Sequence, residues 1–200
     1  MLTAVALGLL LGLRHAADPD HLVAVSAIAS RRAGPRATAG VGLLWGLGHG
    51  ATVLVAGGLL VALGVVVPAR VAAGLELGVA AVLIAIGIST LRRPSRSELA
   101  HSGLPSFGVG VVHGLAGTGA VAVLATAAMP GPAEALVYLA AFAAGTLAGM
   151  VGVSLGLGAP LAWLSARPGG ARAVSLASGL AALGFGGWML WRAGVGGELL

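Results

Sequence analysis

Leu9-Leu-Leu-Gly-Leu-Arg14-His15-Ala-Ala-Asp18-Pro19-Asp20-His21-Leu-Val-Ala-Val25 places a polar octet inside an apolar run. Residues 14–21 carry five ionisable side chains, and the flanks on either side carry none. Arg or Asp at the centre of a membrane helix costs about 2.5–3.5 kcal/mol each on insertion scales. Three such residues would cost roughly 8–10 kcal/mol if additive, so neutralising partners are expected. Pro19 lacks an N–H and clashes with the carbonyl four residues back, that of His15. The helix is therefore expected to kink or unwind at the motif. Backbone groups freed at membrane depth are tolerated only where they face protein or a wet cavity, so the octet is expected to line one.

The rest of the chain supplies the membrane setting. Of 200 residues, 58% are apolar and 8% charged. Soluble domains carry about 25% charged residues, and a chain this apolar would not cover its own surface. The composition thus indicates an integral membrane protein. There is no Cys, which excludes disulfides and thiolate metal sites, and no Lys, which excludes Schiff-base catalysis and a Walker A loop. The formal charge of +5 comes entirely from an excess of Arg and is explained by topology without nucleic acid.

Spans of about 20 apolar residues cross the roughly 30 Å hydrocarbon layer. Pro, Gly and Arg punctuate the chain into six of them: about 2–30, 37–66, 69–91, 105–128, 133–164 and 171–192. The fifth is long enough to be broken or tilted. Alternate loops then share a side. One side collects Arg31, Arg32, Arg36, Arg92, Arg93, Arg96, Arg167 and Arg172, and the other only Arg70 and Arg192. The Arg-rich side is expected to be cytoplasmic, with both termini outside and residues 92–104 as a cytoplasmic loop of an inner-membrane protein. Trp163, Trp188 and Trp191 fall near span ends, as interfacial aromatics do. Met1 to Leu13 lacks a basic leader, so the first segment is expected to be retained.

An internal repeat is legible. Gly12-Leu-Arg-His15 followed by Leu22-Val-Ala-Val25 matches Gly110-Val-Val-His113 followed by Ala120-Val-Ala-Val123, 98 residues on. Trp45-Gly-Leu-Gly48-His49 matches Phe142-Ala-Ala-Gly145-Thr146 at an offset of 97. Residues 1–91 and 105–192 then form two three-helix repeats within one transmembrane domain, 1–200. Three spans is an odd number, so the halves would be inverted, as in many secondary transporters.

Depth along the spans brings the polar groups together. At 1.5 Å per residue, His21 and His15 lie about 15 and 24 Å from the Arg-rich end of span 1, and His49 about 20 Å from that end of span 2. His113 lies about 12 Å into span 4. Imidazoles and carboxylates without sulfur suit Ni, Co, Zn, Cu(II) or Fe, whereas Ca and Mg take more oxygen ligands. On an ideal helix His15, Asp18 and His21 share a face, and Asp20 joins them only if Pro19 unwinds the turn.

The octet and Leu22 resemble the signature of the nickel/cobalt transporter (NiCoT) family of permeases, through His15-x-x-x-x-Asp20-His21. Leu47-Gly48-His49-Gly50 is similar to the Leu-Gly-His-Ser element of that family's next helix. The match covers roughly residues 10–55. It implies divalent-cation transport, with His15, Asp20, His21 and His49 near the metal path. The chain departs from longer members in placing the signature in its first span and in lacking their later acidic motif. In that place His113-Gly-Leu-Ala-Gly-Thr-Gly119 resembles short relatives associated with urease maturation or general metal export.

The expected protein is thus an all-α, six-span permease moving Ni²⁺ or Co²⁺, with His15, Asp20, His21 and His49 as metal ligands and Asp18 and His113 as further candidates. The alternatives are a kink-bracing hydrogen-bond cluster, Asp18 as a counter-ion to Arg14, and His113 as a packed residue. Glu76 is expected to pair with Arg70 or face a cavity. The metal is substrate, not cofactor, and no enzymatic activity is expected. The partners are the metal and the bilayer. A homo-oligomer or a metallochaperone partner is compatible with the small-residue faces, as is an accessory role without net transport or export of metal or small anions.

Overall fold

A computed structural model describes residues 1–31, 34–92 and 104–195. Arg32, Arg93, Arg96, His101 and nearly all of the expected 92–104 loop lie outside the described residues. Among those described, regular structure is helical throughout. In chain order the helices are α1 (Leu2–His15), α2 (Pro19–Ala29), α3 (Gly34–Thr52), α4 (Gly58–Leu63), α5 (Ala69–Arg92), α6 (Leu104–Ala128), α7 (Pro132–Ser165) and α8 (Gly170–Val195). A π-helical turn, Val53–Gly57, joins α3 to α4.

Four helices among the described residues are long and apolar enough to cross a membrane: Gly34–Leu63, Ala69–Arg92, Pro132–Ser165 and Gly170–Ala193. Large apolar side chains stand on the outside of the bundle, among them Leu2, Val55, Leu59 and Trp191. That distribution suits hydrocarbon around the protein, not water. The chain is an all-helical membrane protein.

The first span unwinds at the motif, as expected, and does so fully enough to give two helices. α1 ends at His15, residues 16–18 turn, and α2 begins with Pro19 at its first position. Pro is well placed there, because the first helical N–H has no intrahelical partner and the ring pre-sets φ. Of the two outcomes expected for the fifth span, broken or tilted, the break does not occur. α7 runs 34 residues with Pro160 inside it. At 1.5 Å per residue it is about 51 Å long, well beyond a 30 Å hydrocarbon layer, so tilt or protrusion takes up the excess. The irregularity falls instead in the second rod, at the π turn before Gly58, where no proline marks it.

α7 packs along both α1 and α3, α6 packs along α3, and α5 packs along α8. Two glycines make the contacts around the polar octet close. A Cβ on Gly12 would run into the carbonyl of Phe142 and lie 2.8 Å from the Thr146 nitrogen. A Cβ on Gly110 would run into the carbonyl of Trp45 and lie 3.0 Å from the His49 nitrogen. Lipid gives no hydrophobic drive between helices, so such backbone-to-backbone packing carries much of the association. It also sets the side chains one turn beyond each glycine, His15 and His113, toward one centre.

Candidate metal centre

The centre is assembled from the α1–α2 break outward. Pro19 cannot donate the helical hydrogen bond to the carbonyl of His15. That carbonyl instead accepts the backbone N–H of Asp18 at 3.0 Å and the Nδ1–H of His21, also at 3.0 Å. The break thus becomes a hydrogen-bonded clamp on the His21 ring. Asp18 stands at the N-cap of α2 in an extended conformation, yet its side chain makes no capping bond. Its Oδ2 instead accepts from His15 Nδ1 at 2.8 Å. This corrects the pairing of Asp18 with Arg14 weighed from the i, i+4 spacing: the unwound turn brings His15 to the carboxylate.

His49 reaches the same centre from α3, and His113 from α6. His113 Nδ1–H donates to the Val109 carbonyl at 3.2 Å, which leaves Nε2 facing Asp20 Oδ2 at 3.7 Å. The rings are close: His15 to His21 4.7 Å between centroids, His15 to His49 5.1 Å, His21 to His49 5.6 Å and His21 to His113 5.3 Å. His21 and His49 are 1% exposed and His113 is 3% exposed, so solvent does not satisfy them. Among the described residues, buried Nε2 of His15, Nε2 of His113 and both nitrogens of His49 have no hydrogen-bond partner. A buried polar atom without a partner costs about 1–3 kcal/mol. A neutral imidazole offers one lone pair, so these four atoms supply three converging electron-pair donors, one each from His15, His49 and His113.

The donors fall into two groups. His15, His21 and His49 form one, and Asp20, His21 and His113 the other, each with its donor atoms within 4.8 Å of one another. Three of the four histidines share one pattern: Nδ1 is tied to an oxygen acceptor, which orients the ring and leaves Nε2 to face the centre. Histidine ligands of metals are commonly held in this way, by a carboxylate or a backbone carbonyl on the other nitrogen. Five of the six residues singled out from the sequence thus come together here, and the sixth, Asp18, stands behind His15. Asp20, which an ideal helix would point elsewhere, meets His113 because the turn before Pro19 is unwound.

Two cavities reach the cluster. The larger, about 410 Å³, is lined by His15, Asp18, Asp20, His21 and His113 and extends past Glu76, Trp188 and Arg192. Glu76 pairs with Arg192 at 3.4 Å on this wall, both residues being roughly half exposed. It thus faces a cavity, as expected, and its partner comes from the other half of the chain. The smaller, about 230 Å³, is lined by Arg14, His15, Asp18, Tyr138 and Phe142, among others. The His15–Asp18 pair is a wall common to both.

Three residues of the centre were not singled out as functional from the sequence. Trp45 is fully buried, with its ring 4.9 Å from His113 and 5.8 Å from His21, and its indole N–H has no partner. Phe142 lies 5.3 Å from His15 and 6.2 Å from Tyr138. The signal was the repeat, which aligns Trp45 with Phe142, and Tyr138 lies one turn before the latter. Thr118 and Thr146, at repeat positions of Asp20 and His49, bond carbonyls of their own helices, those of Gly114 and Phe142.

These features define a class: an all-helical membrane protein whose buried polar centre is a histidine–aspartate cluster. Within that class the chain is 31% identical to the urease accessory protein UreH of Bacillus sp. (strain TB-90), over 84% of this chain and 81% of the relative. It belongs to that protein's family. No family model matches the chain, and no solved structure matches it.

Proposed function

We propose that the chain is a permease of the nickel/cobalt transporter type that moves a divalent transition metal, Ni²⁺ first and Co²⁺ next, across the inner membrane. The observation that carries this is the orientation of the histidines. His15, His21 and His113 are each held at Nδ1 by an oxygen acceptor and turn Nε2 inward, with Asp20 beside them. Neutral imidazoles with one carboxylate suit Ni²⁺ and Co²⁺, which need no thiolate. In this scheme His15, His21, His49, His113 and Asp20 ligate the metal, and Asp18 orients His15. The relative's name points to urease, a nickel enzyme, which favours Ni²⁺ among the metals the site chemistry allows.

Six spans in two inverted repeats fit the packing. α1 and α2 together, α3 with α4, and α5 make the first repeat, and α6, α7 and α8 the second. Gly12 meets Phe142 and Thr146, and Gly110 meets Trp45 and His49. Each of these contacts maps onto the other under the 97- and 98-residue offsets, as a pseudo-two-fold axis requires. Alternating access would then rock one repeat against the other around the fixed cluster. In this reading the Arg-rich side faces the cytoplasm and both termini lie outside, which the positive-inside rule supports.

The family name favours one rival specifically: an accessory membrane protein that passes metal to a urease-maturation partner without net transport. Proteoliposomes separate the two. A permease gives saturable Ni²⁺ or Co²⁺ flux, and an accessory protein binds metal with none. No binding and no flux with Ni²⁺, Co²⁺, Zn²⁺ and Mn²⁺ would contradict both.

A further inference from the structure

The two donor groups share one residue. His21 belongs with His15 and His49 in the first and with Asp20 and His113 in the second. Its Nδ1–H is committed to the His15 carbonyl, so Nε2 is the one nitrogen it can offer. An imidazole bridges two ions only through both nitrogens. The groups are therefore alternatives, and one metal ion occupies one or the other.

The surroundings of the two groups differ in a way that gives them an order. Both groups touch the larger cavity, one through Asp20, His21 and His113 and the other through His15 and His21, but only the first brings a carboxylate donor to it. His49 lines neither of the two cavities, is 1% exposed and has both ring nitrogens unpartnered. It offers a donor that only an ion already inside can use. Metal–imidazole bonds are about 2.0–2.1 Å long, so donors around a single ion stand at most about 4.2 Å apart. Each triad, within 4.8 Å, closes on an ion by small ring movements.

Resting on the metal-permease proposal, we infer that the protein holds one divalent ion at two mutually exclusive stations, an outer Asp20–His21–His113 station and an inner His15–His21–His49 station. His21 keeps hold of the ion through Nε2 while Asp20 and His113 are exchanged for His15 and His49. Total ligand count is preserved through the step, and the ion is never released from the protein to make it. Asp20 is left behind on the way in, so the inner station has no carboxylate bound directly to the ion, and Asp18 acts there only through His15.

The test is a Co²⁺ titration of the purified full-length protein in detergent, read by stoichiometry and by visible absorption. One Co²⁺ per chain is expected at saturation, with two absorbing species in the wild type whose amounts sum to one ion. His49→Gln should keep the outer-station spectrum alone, and His113→Gln the inner-station spectrum alone, each with affinity lower by about 10–100-fold. His49→Gln/His113→Gln should bind no Co²⁺. Two Co²⁺ per chain would overturn the sharing of His21. A single absorbing species in wild type, or identical spectra in the two single variants, would overturn the two stations while leaving the metal site in place. The wild-type readout does not depend on any variant folding. Absence of Co²⁺ and Ni²⁺ binding by wild type would bring down the underlying proposal as well.

Discussion

The ring of His21 is hung from the backbone carbonyl of His15, Nδ1 to oxygen 3.0 Å, and that carbonyl is open because Pro19, four residues on, has no N–H to give it. One covalent property of one residue thus accounts for three features: the end of α1, the start of α2, and which ring nitrogen of His21 is left free. The same break lets Asp18 reach His15 and Asp20 reach His113.

Replacing the proline should therefore act on metal binding more than on stability. Pro19→Ala supplies an N–H that competes with His21 for the His15 carbonyl and lets α1 and α2 join. Loss of an orienting partner typically lowers metal affinity about 10–100-fold. Calorimetric titration with Ni²⁺ should show that loss while the helical circular-dichroism signal stays unchanged. Equal affinity in the two proteins would contradict the clamp.

Asp18 and Asp20 should separate by role. Asp18→Asn keeps a hydrogen bond to His15 but removes the carboxylate charge, so affinity should fall about 10-fold, at the mild end of the range for orienting partners. Asp20→Asn removes a charged donor and should cost more. Ni²⁺ titrations of both variants, side by side, check the ranking. The reverse order would make Asp18 the ligand.

The close glycine packing gives a prediction about folding. Gly110→Leu drives a side chain into the Trp45 carbonyl and pushes α6 off α3. Overpacking of this kind costs about 1–3 kcal/mol and often more where the obstacle is backbone. A clear fall in melting temperature in detergent is expected. Gly108→Leu, two residues away with open space at its Cβ, should melt like the wild type.

The absence of native Cys makes topology directly measurable. Val66→Cys and Gly131→Cys should react with a membrane-impermeant maleimide from outside the cell. Arg167→Cys should react only after permeabilisation. Labelling of all three from one side would contradict six spans.

Much of this architecture was legible in the chain because its signals are local. Charge inside an apolar run, Pro19 at a defined spacing, and Pro–Gly punctuation each act within a few residues. Among the described residues, four of the expected spans fall within a few residues of helices long and apolar enough to cross a membrane. The break in the first span was legible as a kink or an unwound turn, but not its extent, which depends on how the freed His15 carbonyl is satisfied by His21. The π turn at Val53–Gly57 carries no comparable mark. The pairing of Glu76 with Arg192 and the packing of Trp45 on His113 join residues far apart in sequence and are fixed by how α5, α8, α3 and α6 meet. Charge alone pointed Glu76 to Arg70, its nearest basic neighbour. The continuity of α7 through Pro160 likewise depends on packing, not on residue type.

The central claim is that the histidine–aspartate cluster carries a divalent metal through the membrane. Ni²⁺ flux into proteoliposomes of wild type and His21→Ala, at matched protein content, tests it most directly, since His21 belongs to both donor groups. Saturable Ni²⁺ flux in the wild type that falls to the level of empty liposomes in His21→Ala is the predicted result. Equal flux in the two, or metal binding without flux in the wild type under gradients of either sign, would contradict it.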